Sequence, residues 1–348
     1  MDSRKQCQAY LRPCAFAPLR YSLYYTRPMP QFIAVDFGGT NIRAARYTED
    51  GALLARAQHP TLAAGGGEAV VERILATIHE VLPAAGEVMA VGVAAPGPLN
   101  PRTGTLIAPP NLPIRNFLLR DAIQDAVGVP VFTGNDANLA ALAEWKFGAG
   151  RGHADVLYLT ISTGIGSGVV SGGRLLLGKD GLAAEAGHIL AVPDGPMCGC
   201  GQRGHLEAVA SGTAIARTTI GRLHGGAAST IPDMLDGDLS RLTAATVGQA
   251  AQAGDALAIE VLAEASHWIG RTLASLMHLF NPGIVIFGGG VSQTGELLLA
   301  PIREAVNKYT LSPAYWEGVP IVQAQLGDDV GLLGALALAL EETKECTT

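Results

Sequence analysis

One pattern runs through the sequence twice, and it limits the folds available to the chain. "FIAVDF", "GGTN", "IRAARY", "TEDG" and "ALLARAQ" read as strand, glycine turn, strand, turn and strand. About 120 residues later, "VLYLTI", "STGIGSG", "VVSGG" and "RLLLG" repeat strand, glycine turn, strand with hairpin, and strand. The first set leads into "EAVVERILATIHEVL", with Val70, Val71, Ile74, Ile78 and Val81 on one helical face. "EVMAVGVA" and "VPVFTG" are further buried strands. A long periodic helix, "DALAIEVLAEASHWIGRTLASLMHLF", stops at Asn281-Pro282. "GIVIFGGG" is the last strand, and "VGLLGALALALEE" is a helix apolar on most sides, which predicts that it packs against a lobe. Duplicated sheets, each followed by helices, predict two related α/β lobes facing a cleft.

Composition agrees with two packed cores: 348 residues, 48% hydrophobic and 16% charged. A net charge of -7 argues against nucleic acid or an anionic membrane as the main partner, since both need a basic face. No apolar run reaches the roughly 18 residues of a membrane span. Cys7, Cys14, Cys198, Cys200 and Cys346 are odd in number and irregularly spaced, a poor disulfide framework, so a cytoplasmic location is expected. Residues 1–30 are basic and Tyr-rich without clear period. They read as a disordered extension ahead of a natural start at Met29, not as a secretory signal.

The glycine turns carry the first chemistry. Gly38 and Gly39 can expose backbone N–H groups, Thr40 adds a hydroxyl, and Asp36 sits where a carboxylate could hold Mg²⁺ directly or through water. Thr163, Gly164 and Gly166 offer the same from the second lobe, and Gly288 to Gly290 leave room for a flat base or ribose. Any one turn is as readily a plain hairpin; three at strand ends in a duplicated pattern point to a nucleotide. Neither a Walker P-loop nor a Rossmann G-x-G-x-x-G is present.

In "TGNDANLAALAEWKFGAG", Asn135 reads as a helix N-cap and Gly148 as the stop. Asp136 falls in the first turn, either as a cleft-facing proton acceptor or as a plain capping-region acid. The loop "GHILAVPDGPMCGCGQRGHLE" gathers His188, Cys198, Cys200 and His205, the last three at offsets of ten, twelve and seventeen from the first. Two thiolates and two imidazoles form a closed set suited to a structural, tetrahedral Zn²⁺. The alternative is that His205 points away and leaves the set incomplete. Glu185 and Glu207 flank the loop.

From Phe32 to Glu342 the chain resembles the ROK family (repressor, open reading frame, sugar kinase) within the actin/hexokinase-like, ribonuclease H-like α/β fold, a duplicated two-lobed fold with a central cleft. The resemblance rests on "DFGGTNIR", "APPNL", "GNDANLAALAE", "STGIGSGVV", "EAGH", "CGCGQRGHLEAVASGTAI" and "IVIFGGGVS", in the family's order. Among catalytic members it is most similar to the bacterial glucokinases. The resemblance implies ATP-dependent phosphorylation of a hexose hydroxyl, with Mg²⁺ and a structural Zn²⁺, by a homodimer or higher homo-oligomer. It makes Asp136 the general base and places Asp36, Gly38, Gly39, Thr40, Thr163, Gly164, Gly166 and Gly289 about the nucleotide. Asn111, Asn135, Asp136, Glu185, His188 and Glu207 would ring the sugar. Residues 31–134, with a C-terminal helix at about 330–343, are then expected as the small lobe, and 135–329 as the large lobe with the zinc loop.

Three positions depart from the family pattern. Asn41 stands where many relatives carry Lys, "LPIRNF" lacks a Trp often seen there, and His205 replaces a Cys, which changes a zinc site from net -1 to neutral. Phosphorylation of N-acetylglucosamine, N-acetylmannosamine or fructose is the alternative reading. A sugar-responsive ROK regulator is less well matched, because nothing before Phe32 reads as a DNA-binding domain and the chain is acidic.

Overall fold

The computed structural model describes residues 29–84, 87–109 and 112–345; residues 1–28 of the expected extension, and Asn111, lie outside the described residues. The first sheet contains β1 (Gln31–Phe37), β2 (Asn41–Thr48), β3 (Leu53–Pro60), β4 (Val88–Ala95) and, after the short strands β5 (Leu99–Asn100), β6 (Thr105–Leu106) and β7 (Phe117–Leu118), β8 (Val131–Asn135). Its order is β3-β2-β1-β4-β8, while β5, β6 and β7 form a small sheet of their own. The second sheet contains β9 (Val156–Ile161), β10 (Ile165–Ser171), β11 (Arg174–Leu175), β12 (Ile284–Gly288) and β13 (Ile321–Gln323), in the order β11-β10-β9-β12-β13. In both, three antiparallel strands are continued by two parallel ones from the first strand of the set. The repeat in the sequence is thus a repeat in topology.

Helices cover the sheets. They are α1 (Gly66–Val81), α2 (Leu119–Val127), α3 (Asp136–Phe147), α4 (Leu206–Ala210), α5 (Gly212–His224), α6 (Ile231–Met234), α7 (Ala244–Gln252), α8 (Ala256–Phe280), α9 (Glu296–Tyr309) and α10 (Val330–Glu345). Strand β1 is buried on both faces, which explains its near-continuous apolar run. Ile33, Val35 and Phe37 pack with Ile74 and Ile78 of α1, whereas Phe32 and Ala34 pack with Leu332 and Leu336 of α10. The α10 face is built from small residues: a Cβ at Gly92 would collide with the carbonyl of Ala335. Small side chains on both partners therefore let the last helix lie directly on the first sheet, although it follows the second in sequence.

Helix α3 lies between the two sheets, and every residue from Ala137 to Glu144 is buried. Leu139 and Leu142 pack with α10 and the first sheet, while Ala140 and Ala141 pack with Val156, Tyr158 and Ile286 of the second. The second glycine turn is shorter than expected. Only Ser162–Gly164 forms the turn, and Gly166 and Gly168 are inside β10, where a Cβ would meet Ala137 and Ala141. Close helix-on-strand packing, and no need for a bend, explains these glycines. "RLLLG" likewise contributes only Arg174–Leu175 as strand.

Candidate active site and metal cluster

Asp136 and the glycine turns expected about the nucleotide follow strands that pair in parallel. The turn Gly38–Thr40 follows β1, Asp136 follows β8, Ser162–Gly164 follows β9, and Gly289 follows β12. In open α/β sheets this carboxyl edge is where ligands bind. Register brings the ends together: Asp36 pairs with Ala94, Ala95 with Asn135, and Thr160 with Gly288. Gly289 has a φ of 83°, and a Cβ there would strike Ile161 O and Thr160 Oγ1, so only glycine closes β12 onto the end of β9.

Asp136 opens α3. Asn135 caps the helix, its Oδ1 accepting from the N–H of Ala137 at 3.0 Å and of Asn138 at 3.2 Å, an arrangement worth about 1 kcal/mol. Gly97, which the sequence reading passed over, leaves the space that the Asn135 amide occupies. Water reaches the Asp136 carboxylate, but protein atoms surround it on most sides. Burial, reinforced by the nearby charges of Asp36 and Glu185, raises its pKa from 3.8 to about 6, against the hydrogen bond from Ala137 N–H. A carboxylate so raised, yet ionised at neutral pH, suits a proton acceptor better than a simple cap does.

Asp36 is not free. Arg43 binds its Oδ2 through Nε at 3.1 Å and through a second guanidinium nitrogen, and Asp36 lies against Gly331 in the first turn of α10, where a side chain would displace it. Among the described residues Oδ1 has no hydrogen-bond donor, which leaves one oxygen for a hydrated cation.

Glu185 and His188 sit on a single 3-10 turn region, Ala186–His188. Ser167 of β10 fixes it, donating to Ala184 O and accepting from Ala186 N at 3.0 Å. Burial, with the charge of Glu207, raises the Glu185 pKa, while His188 opposes the rise. Glu207 is the second residue of α4. Its Oε2 accepts the Ile165 N–H at 2.9 Å and fills the space where a Gly164 side chain would be. Gly164 thus serves a carboxylate as well as the turn, a role invisible without the fold.

His188, Cys198, Cys200 and His205 converge, each offering a ligand atom within 4.8 Å of the others. The Cys198 Sγ to His188 Nδ1 distance is 3.8 Å and Cys200 Sγ to His205 Nδ1 is 3.2 Å. These bracket the value of about 3.6 Å that a tetrahedral zinc with ordinary bond lengths sets between sulfur and nitrogen. His205 turns inward, against the alternative that it points away. The loop is tied by main-chain bonds, Cys198 N to Gln202 O at 2.8 Å and Leu206 N to Ile189 O at 2.9 Å among them. Burial pushes the Cys198 thiol up to about 11, against the hydrogen bond from the Cys200 N–H and with the Cys200 thiol and Glu207 adding to the rise.

Comparison with known proteins identifies the family. A family model for the ROK family matches residues 32–342. The glucokinase of Thermotoga maritima is 40% identical over 318 residues, covering 90% of this chain and 98% of that protein. The crystal structure of a ROK family glucokinase from Streptomyces griseus in complex with glucose and AMPPNP is similar with a TM-score of 0.78 at 37% identity, covering 89% of this chain and 99% of that one. A ROK family transcriptional regulator, a homologue of the E. coli MLC protein, reaches a TM-score of 0.83 at 27% identity, covering 92% of this chain and 81% of that one. From its glycine turns to its His/Cys loop, the chain belongs to the ROK family.

Proposed function

We propose that the protein is an ATP-dependent hexose kinase acting as a glucokinase, converting glucose and ATP to glucose 6-phosphate and ADP. The backbone likeness extends to a regulator as well as to glucokinases, so the fold alone does not decide. The observation that carries the reading is Asp136, held at the N-terminus of a buried helix with its pKa raised to about 6. There it accepts the proton of the attacking sugar hydroxyl, while Asn111, Asn135, Glu185, His188 and Glu207 hold the remaining hydroxyls. Asp36, Gly38, Gly39, Thr40, Thr163, Gly164 and Gly289 are assigned to the nucleotide side. Gly166 contributes through packing beneath α3. Phosphoryl transfer depends mainly on such positioning and on charge neutralisation. Asp36 is the residue that would hold Mg²⁺, which would supply part of that neutralisation. The lobes are assigned as 31–134 with the helix at about 330–343, and 135–329.

His188, Cys198, Cys200 and His205 would hold Zn²⁺, which supplies a fixed crosslink within the loop. The loop's own role is to present Glu185 and Glu207, which lie three residues before His188 and two after His205.

ADP release across glucose, fructose, N-acetylglucosamine and N-acetylmannosamine tests the reading. Glucose is expected to give the highest kcat/KM, and release with none of them would sink it. Asp136→Asn should lower kcat by about 10²–10⁴-fold with glucose binding retained; turnover above about a tenth of wild type removes Asp136 from the role. Because its pKa is higher in the folded protein (about 6) than unfolded (3.8), the stability Asp136 lends is full below 3.8 and lost as pH rises through 6. Asp136→Asn should therefore melt above wild type at pH 8, with the gain gone at pH 3.5; an equal difference at both values contradicts the raised pKa.

Elemental analysis should find about one Zn²⁺ per chain. Chelation or Cys198→Ser should raise the KM for glucose, and His205→Cys should keep the metal where His205→Ala weakens it. Zinc-free protein with full activity excludes the metal from the site.

A further inference from the structure

Glu144 is a fully buried carboxylate near the C-terminal end of α3 that no step above uses. All three of its hydrogen bonds come from backbone N–H groups. Oε2 accepts from Ala149 at 2.8 Å, and Oε1 accepts from Gln325 and Leu326 at 2.9 Å each. Gly148 leaves the room it needs, because a Cβ there would overlap the carboxylate. Among the described residues it has no ion-pair partner, so those N–H groups carry its stabilisation.

The segment it grips runs on to the outer strands β2 and β3 of the first sheet. Asp328 O accepts from Arg43 at 2.7 Å, and Asp329 pairs with Arg56 at 2.9 Å. Arg43 is the residue that holds Asp36, one position before Phe37 and the Gly38–Thr40 turn. Glu144 lies eight residues, or about 12 Å of helix, from Asp136. A continuous chain of bonds therefore runs from α3 through 325–329 and Arg43 to Asp36. A separate ion pair from α3 to α10, Lys146–Glu341 at 2.9 Å, is partly exposed and worth less.

We propose that Glu144 is a positioning residue that ties α3, and with it Asp136, to the segment 325–329, and through Arg43 fixes Asp36 and the Gly38–Thr40 turn at the end of β1. Its effect on turnover rests on the kinase reading; the mechanical link does not. Glu144→Gln keeps the volume but offers one acceptor oxygen to three donors.

Hydrogen exchange and kinetics on folded protein test the link together. Glu144→Gln should speed exchange at Ala149, Gln325 and Leu326, and also at residues 38–41, which Glu144 does not touch. It should lower kcat about 10–100-fold, as small misplacements do, with the glucose Kd within about threefold. Arg43→Met should act alike, and the double variant should lose no more than the worse single one, since both act through one segment. Leu326→Pro removes a donor from the far end at a φ of -88°, near the proline range, and reads the same link if Glu144→Gln does not fold. Unchanged exchange at 38–41, or losses that multiply in the double variant, overturn the proposal. A wild-type protein that releases no ADP overturns the kinase reading alone, because the exchange measurement needs no activity.

Discussion

The burial of α3 between the two sheets is the interaction on which the site depends. Leu139 and Leu142 press into one core and Ala140 and Ala141 into the other. Each buried leucine contributes about 1.5–3 kcal/mol, more than a partly exposed ion pair such as Lys146–Glu341, worth about 0–1 kcal/mol. Packing therefore sets where the helix lies, and polar contacts tune its ends. One end is capped by Asn135 and presents Asp136; the other turns back through Glu144 onto the segment before α10. Alanine and glycine dominate the contact surfaces because α3 is covered from two sides, and larger side chains would push the sheets apart.

That placement draws acidic groups together without matching cations. Burial first, and then the charges of Asp36 and Glu185, raises the Asp136 pKa, and burial with the charge of Glu207 raises that of Glu185. Among the described residues, Asp36 alone of these four acids pairs with a guanidinium, that of Arg43. An electrostatic cost of this kind is retained where function uses it. Here it leaves Asp136 with a pKa of about 6, the property that the proposed role as base requires.

Much of this was legible in the sequence, for reasons that differ by element. The duplicated strands were readable because buried parallel strands are continuous apolar runs opening into glycine, as in "FIAVDFGG" and "GIVIFGGG". The Asn135 cap and the Cys/His loop were readable because capping and metal binding each demand few residue types at close spacing. The two-residue strands β5, β6 and β7 were not, since such short elements carry no period. The purposes of individual glycines also escaped. Gly166 looked like part of a turn yet packs under Ala137, and Gly164 makes room for Glu207, 43 residues away in sequence. Glu144 read as one more helical residue because its partners at 325 and 326 are remote in sequence and are backbone groups, which have no residue signature.

The most direct test is a crystal structure with glucose and a non-hydrolysable ATP analogue bound. The sugar's 6-hydroxyl should lie within about 2.6–3.2 Å of an Asp136 carboxylate oxygen and face the terminal phosphate on its other side. A glucose bound with that hydroxyl directed to another residue, and Asp136 only capping α3, would contradict the assignment of this carboxylate as the base.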